Sequence, residues 1–137
     1  MSCREKDAMK VVAINGSARK DGNTARLIRY VLDELEKEGI ETEMVHLAGE
    51  TVRGCTACMG CAASGDGRCT IEDDIVNACI GKMREADGII LGSPTYFADV
   101  SSEMKALIDR AGFVARANGD MFQRKAGAAV VAVRRAG

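Results

Sequence analysis

The chain has 137 residues, 47% hydrophobic and 28% charged, with a formal net charge of −1. One core can form in a chain of this length, and the composition is that of an ordinary soluble globular protein. Acidic and basic residues are mixed, which excludes a basic nucleic-acid stripe, and the longest apolar runs, Gly88–Leu91 and Ala126–Val133, are too short to span a bilayer.

Met1–Lys10 is polar and charged and has no apolar signal-peptide core. A cytoplasmic setting is the expectation. There the six cysteines argue for metal ligation or redox chemistry over a disulfide scaffold. Cys3 sits in a terminus expected to fray. Cys79 falls on the apolar side of a predicted helix and reads as a small buried hydrophobe.

Lys10–Asn15 reads as a short buried strand ending at Gly16. A polar loop, Ser17–Gly22, leads into a helix over Thr24–Glu38, with Leu27, Ile28, Val31, Leu32 and Leu35 at helical spacing. Gly39 stands where a helix-ending glycine belongs. Glu41–Leu47 predicts a second strand. A cysteine-rich loop follows over 48–69. Thr70 and Asp73 form a capping-box pattern, which predicts a helix from Thr70 to Ala86. Gly88–Gly92 is a third strand, Ser93–Phe97 a loop, Ser101–Phe113 a helix and Ala126–Val133 a fourth strand.

This alternation predicts a single α/β domain over 1–137, a doubly wound parallel sheet. In such sheets ligands sit outside the carboxyl ends of the strands. The loops starting at Gly16, Ala48 and Ser93 all begin on that rim.

Cys55, Cys58, Cys61 and Cys69 have the spacing C-x2-C-x2-C-x7-C. The first three repeat the rhythm of bacterial ferredoxin-type iron–sulfur runs. Gly65 and Gly67 let the loop turn back so that Cys69 can join them. Four thiolates of this kind suit one [4Fe–4S] cluster. Zinc is the alternative, although its sites usually pair two C-x2-C units across a longer spacer. Free thiols or a redox-active disulfide are a third reading.

Gly16–Thr24 reads GSARKDGNT, between a strand and a helix. Backbone N–H groups and the positive helix end meet there, which suits a phosphate monoester. The bland reading is a Ser/Asn-rich turn with Thr24 as a plain N-cap. Gly92–Phe97 reads GSPTYF. Tyr96 and Phe97 offer flat apolar walls to a ring system, although one of them is expected to pack into the core. His46, the only histidine, reads as structural or solvent-facing, and the acidic run Glu72–Asp74 as helix capping.

Together the two loops resemble the NADPH-dependent FMN reductase family, and the cysteine loop followed by TIEDD resembles its iron–sulfur flavoprotein branch. The resemblance runs from Lys10 to Gly137. It implies a flavodoxin-like sheet of order 2-1-3-4-5. By that similarity Ser17, Arg19, Asn23 and Thr24 hold the FMN phosphate, and Pro94, Thr95, Tyr96 and Phe97 line the ring. Cys55, Cys58, Cys61 and Cys69 carry the cluster, with NAD(P)H or an electron-carrier protein as donor. Arg134–Gly137 faces the flavin or a partner subunit. No side chain is expected to act as a catalytic acid or base, and the assembly is expected to be a homodimer or homotetramer, with no nucleic acid and no membrane.

Against that pattern the fifth strand is lacking. Roughly fifty residues of the family pattern follow position 137, judged from the length of a βα unit. Strand four then forms an apolar edge open to pairing. Two rivals stand beside the electron-transfer reading. One is an FMN reductase with free thiols. The other is a non-enzymatic metal-binding or redox-sensing module.

Overall fold

The computed structural model describes residues 8–135. In chain order it contains β1 (Lys10–Asn15), α1 (Asn23–Lys37), β2 (Glu41–His46), α2 (Gly60–Ser64), α3 (Val76–Glu85), β3 (Gly88–Pro94), α4 (Ser102–Ala117) and β4 (Ala126–Ala132). The described strands form one sheet of order β2-β1-β3-β4, and every pair is parallel. Asn15 stands opposite both His46 and Gly92, so the ends of three strands share one rim.

Alternation along β1 explains why its run is continuously apolar. Val11 and Ala13 face α1, where Ile28 and Leu32 are fully buried. Val12 and Ile14 face the other layer, against Cys79, Ile80 and Met83 of α3 and Met104, Leu107 and Val114 of α4. Each fully buried side chain of this size stabilises the fold by roughly 1.5–3 kcal/mol before entropy is counted. Leu27 and Val31, on the predicted apolar stripe, stay partly exposed beside Tyr30. Gly92 lets α1 approach β3, because a Cβ there would lie 2.4 Å from Ile28 Cδ1.

Helix ends follow local chemistry. Gly39 has φ +78°, Ile40 N–H donates to Leu35 O at 3.1 Å and Gly39 N–H to Glu36 O at 3.0 Å, closing α1 with a Schellman motif. Ser101 caps α4 by accepting from Met104 N–H at 3.2 Å. That helix continues four residues past Phe113, to Ala117.

The expected start of α3 is overturned. It begins at Val76, not Thr70. Thr70 spends its hydroxyl on Cys58, at 3.2 Å, and Asp74 turns inward to Arg110. Residues 70–75 therefore serve the cysteine loop instead of a helix turn. The short helix α2 was not expected. Met59 and Gly65 flank it, both left-handed.

β4 lies at the sheet edge and is largely exposed, with neither proline nor charge along it. Among the described residues no helix is long and apolar enough to cross a membrane. Cys3, Ala136 and Gly137 lie outside the described residues.

Candidate functional site

The loop after β1 is held from three sides. Gly16 N–H donates to Gly92 O at 2.7 Å, and Ser101 Oγ donates to Gly16 O at 2.6 Å. Asn15 Oδ1 accepts from Ser17 N–H at 3.1 Å, and Ser17 Oγ accepts from Arg19 N–H at 3.1 Å. Ser17 and Thr24 are buried, while Arg19 and Asn23 are exposed. Gly22 precedes α1, and no side chain caps the helix. Thr24 is thus not the N-cap of the bland reading. The first N–H groups of α1 thus have no side-chain cap, an arrangement that fits an anion such as the phosphate of FMN.

The loop after β3 is a tight hairpin. Tyr96 N–H donates to Asp99 O at 2.8 Å, and Asp99 N–H donates back to Tyr96 O at 3.2 Å. Phe97 (φ 44°) and Ala98 (φ 65°) are both left-handed, as a type I′ turn requires. Pro94 closes β3, and Thr95 N–H donates to Ala132 O at 2.9 Å, tying the loop to β4. Tyr96 is exposed and Phe97 fully so. Neither packs into the core, contrary to expectation. Such φ values in a phenylalanine cost energy, so the ring is held outward by the turn and not by packing.

All four loop cysteines line one solvent-open pocket, with Met59, Thr70, Ile71, Arg110, Phe113 and Val114 among its other walls. The thiols are free. Among the described residues no three His, Cys, Asp or Glu side chains close around a single ion. Polar hydrogens reach three of the sulfurs. Ala57 N–H donates to Cys55 Sγ at 3.4 Å, Thr70 Oγ1 pairs with Cys58 Sγ, and Arg110 Nε donates to Cys69 Sγ at 3.3 Å. Ala57 (φ 54°) and Met59 (φ 58°) are left-handed, so the backbone turns sharply on either side of Cys58. Donors aimed at separate sulfurs fit a group in which each thiolate binds its own iron.

The Thr70 hydroxyl, then the Gly60 N–H, hold the Cys58 thiol below its ordinary range. Burial pushes Cys79 up to about 11, as an inert core thiol. Burial, then Lys20, lower His46. Burial alone would raise Asp74, but the hydrogen bonds from Arg110, Arg53 N–H and Val76 N–H outweigh it and hold that carboxyl below the usual range.

The pocket does not sit on the rim beside the loop after β1, as the loop order suggests. Its loop leaves the rim after β2 and descends along α4. Arg110, Phe113 and Val114 lie eight to twelve residues after Ser102, roughly 12–18 Å along the helix axis at 1.5 Å per residue. Asn118, beyond the end of α4, accepts from Gly67 N–H at 3.0 Å and donates to Cys61 O at 3.2 Å. Asn77 grips Cys69 at both its N–H and its carbonyl, each at 2.8 Å.

The chain matches the family model of NADPH-dependent FMN reductase over residues 9–137. It belongs to that family, in the iron–sulfur flavoprotein branch. An iron–sulfur flavoprotein of Methanocaldococcus jannaschii is 49% identical over 102 residues, covering 74% of this chain and 51% of the relative. One of Methanosarcina thermophila is 37% identical over 122 residues, covering 89% and 62%. The chain spans about half the length of the first curated relatives it matches. Among solved structures, an NAD(P)H:quinone oxidoreductase from Methanothermobacter marburgensis superposes with TM-score 0.65 at 16% identity, covering 93% of this chain and 65% of that one. RosB with a bound formylriboflavin phosphate intermediate gives 0.71 at 21% identity, covering 93% and 53%. At such identities these structures bear on the fold, and they share it.

Sequence reasoning missed Arg110, Asn77, Asn118 and Asn15, and it read Asp74 as mere capping. A signal for Arg110 was present. It falls within the apolar stripe Leu107, Ala111, Val114, where an arginine needs a buried partner.

Proposed function

We propose that the full-length protein is an FMN-dependent oxidoreductase that carries a [4Fe–4S] cluster on Cys55, Cys58, Cys61 and Cys69 and takes electrons from NAD(P)H or a carrier protein. The observation that carries it is the single pocket lined by all four thiols, with hydrogen-bond donors on three of them. FMN would supply two-electron exchange with a nicotinamide and one-electron exchange with a metal centre, the cluster being that centre.

The chain's own residues prepare for this. Ser17, Asn23 and Thr24 at the uncapped start of α1 bind the phosphate, and Arg19 balances its charge. Pro94, Thr95, Tyr96 and Phe97 border the ring and limit water at its edge. No side chain need move a proton for hydride transfer itself. The exposed Tyr96–Phe97 hairpin supports a homodimer or homotetramer. Five free cysteines among the described residues suit a reducing cytoplasm.

The test is a visible spectrum of the anaerobically purified full-length protein, with iron, sulfide and zinc counted per chain. Two resolved flavin bands over a broad iron–sulfur shoulder are expected. Failure to bind added FMN would overturn the flavin half. Zinc without iron would leave a structural metal in place of the cluster, and the absence of both would leave an FMN reductase with free thiols.

A further inference from the structure

Residues 53 and 71 stand on either side of the four cysteines, and one side chain holds both. Arg110 Nη1 donates to Arg53 O at 3.0 Å, and Nη2 donates to Ile71 O at 2.9 Å. Nη1 also meets the Asp74 carboxylate, with both side chains fully buried. Nε is left for Cys69 Sγ. Arg110 is 1% exposed and is the only arginine or lysine buried among the described residues. A buried charge is expensive, and the fold retains this one where it touches both ends of the loop and one of its sulfurs.

We infer that Arg110 is the positioning residue of the cysteine centre: it fixes the loop in its closed shape and sets the electronic character of the group bound there by donating to Cys69. This rests on the cluster reading above. A fixed positive charge and an N–H bond on a ligating sulfur stabilise the more negative, reduced state of an iron–sulfur group, so they raise its reduction potential. Asp74 sets the guanidinium's orientation. Lysine keeps the charge near Asp74 but is a point donor that cannot span four acceptors.

The experiment compares full-length wild type, Arg110→Lys and the double variant Arg110→Gln/Asp74→Asn, all prepared anaerobically. The double variant removes both charges, so neither is left buried and unpaired. Iron and sulfide per chain, circular dichroism and an EPR-monitored redox titration are read. Both variants are expected to titrate at a more negative midpoint than wild type. Arg116→Gln, which removes an exposed charge from the same helix, is expected to titrate as wild type. A folded variant that no longer retains iron would support the clamp. Midpoints equal to wild type in both iron-loaded variants would overturn the inference, as would an equal shift in Arg116→Gln. Wild type without iron would instead remove the cluster reading itself, and the inference with it.

Discussion

Asn15 and His46, at the ends of neighbouring strands, are joined by a 3.0 Å hydrogen bond from the Asn15 amide to His46 Nδ1. Its direction is imposed by the backbone. Ser17 N–H can only donate, so Asn15 Oδ1 must face it and Nδ2 must face the imidazole. His46 Nδ1 then has to be unprotonated. Protonation would set two donors against each other and release the carboxamide that shapes the loop after β1. Burial, Lys20 and Arg29 all disfavour the charged ring, and Asp21 opposes them. The neutral ring's contribution is thus intact above the unfolded value, about 6.5, and is lost as pH falls toward the lower folded one. FMN affinity, followed by quenching of flavin fluorescence, is expected to weaken about fivefold below that range, the worth of one hydrogen bond near 1 kcal/mol. His46→Leu is expected to flatten this pH dependence; an unchanged slope would break the link.

Removing Asp74 leaves the Arg110 charge buried and unpaired. Asp74→Ala is expected to destabilise the protein by about 3–5 kcal/mol, measured by urea unfolding. The pair's contribution is present above the unfolded carboxylate value, about 3.9, and disappears as pH falls through the lower folded one. Wild-type stability should fall over that acid window, and the variant should lack that component.

Gly92 is required by packing. Gly92→Ala would drive a methyl into Ile28, and overpacking of this kind costs about 1–3 kcal/mol. Ile28→Val in the same chain should recover part of the loss. Additive losses in the double variant, read by thermal unfolding, would mean that the two side chains do not meet.

Cys79 lies fully buried between α3 and the sheet. In metal-free protein, iodoacetamide followed by peptide mass mapping should label Cys55 and Cys58 quickly, since both are exposed. Cys79 should react only at the rate of global unfolding. Rapid labelling of Cys79 in native conditions would contradict the packing.

The sheet was legible because β1, β3 and β4 are short apolar runs and β2 an alternating one, between amphipathic helices, a pattern that depends only on local period. The GSARKDGNT and GSPTYF loops were legible because backbone turns demand particular residues at fixed spacing. The start of α3 was misread because Thr70 and Asp73 match a capping box by type, yet Cys58 and Arg53 take their side chains, while Asp74 beside them pairs with buried Arg110. Local propensity is a matter of fractions of a kcal/mol, and leaving the buried Arg110 charge without Asp74 would cost several times that, about 3–5 kcal/mol.

The alternation of strands and helices, the position of both loops and the presence of four clustered thiols were thus legible in the sequence through periodicity and spacing, and the strand order through the family resemblance. Tertiary structure decided where the thiols go. It carried their loop down the flank of α4, left-handed at Ala57 and Met59, and fastened it with Arg110, Asn77 and Asn118. Those contacts join residues up to 57 positions apart. No local pattern encodes such pairings, because they are chosen by which buried donors and acceptors must be satisfied once the helices pack.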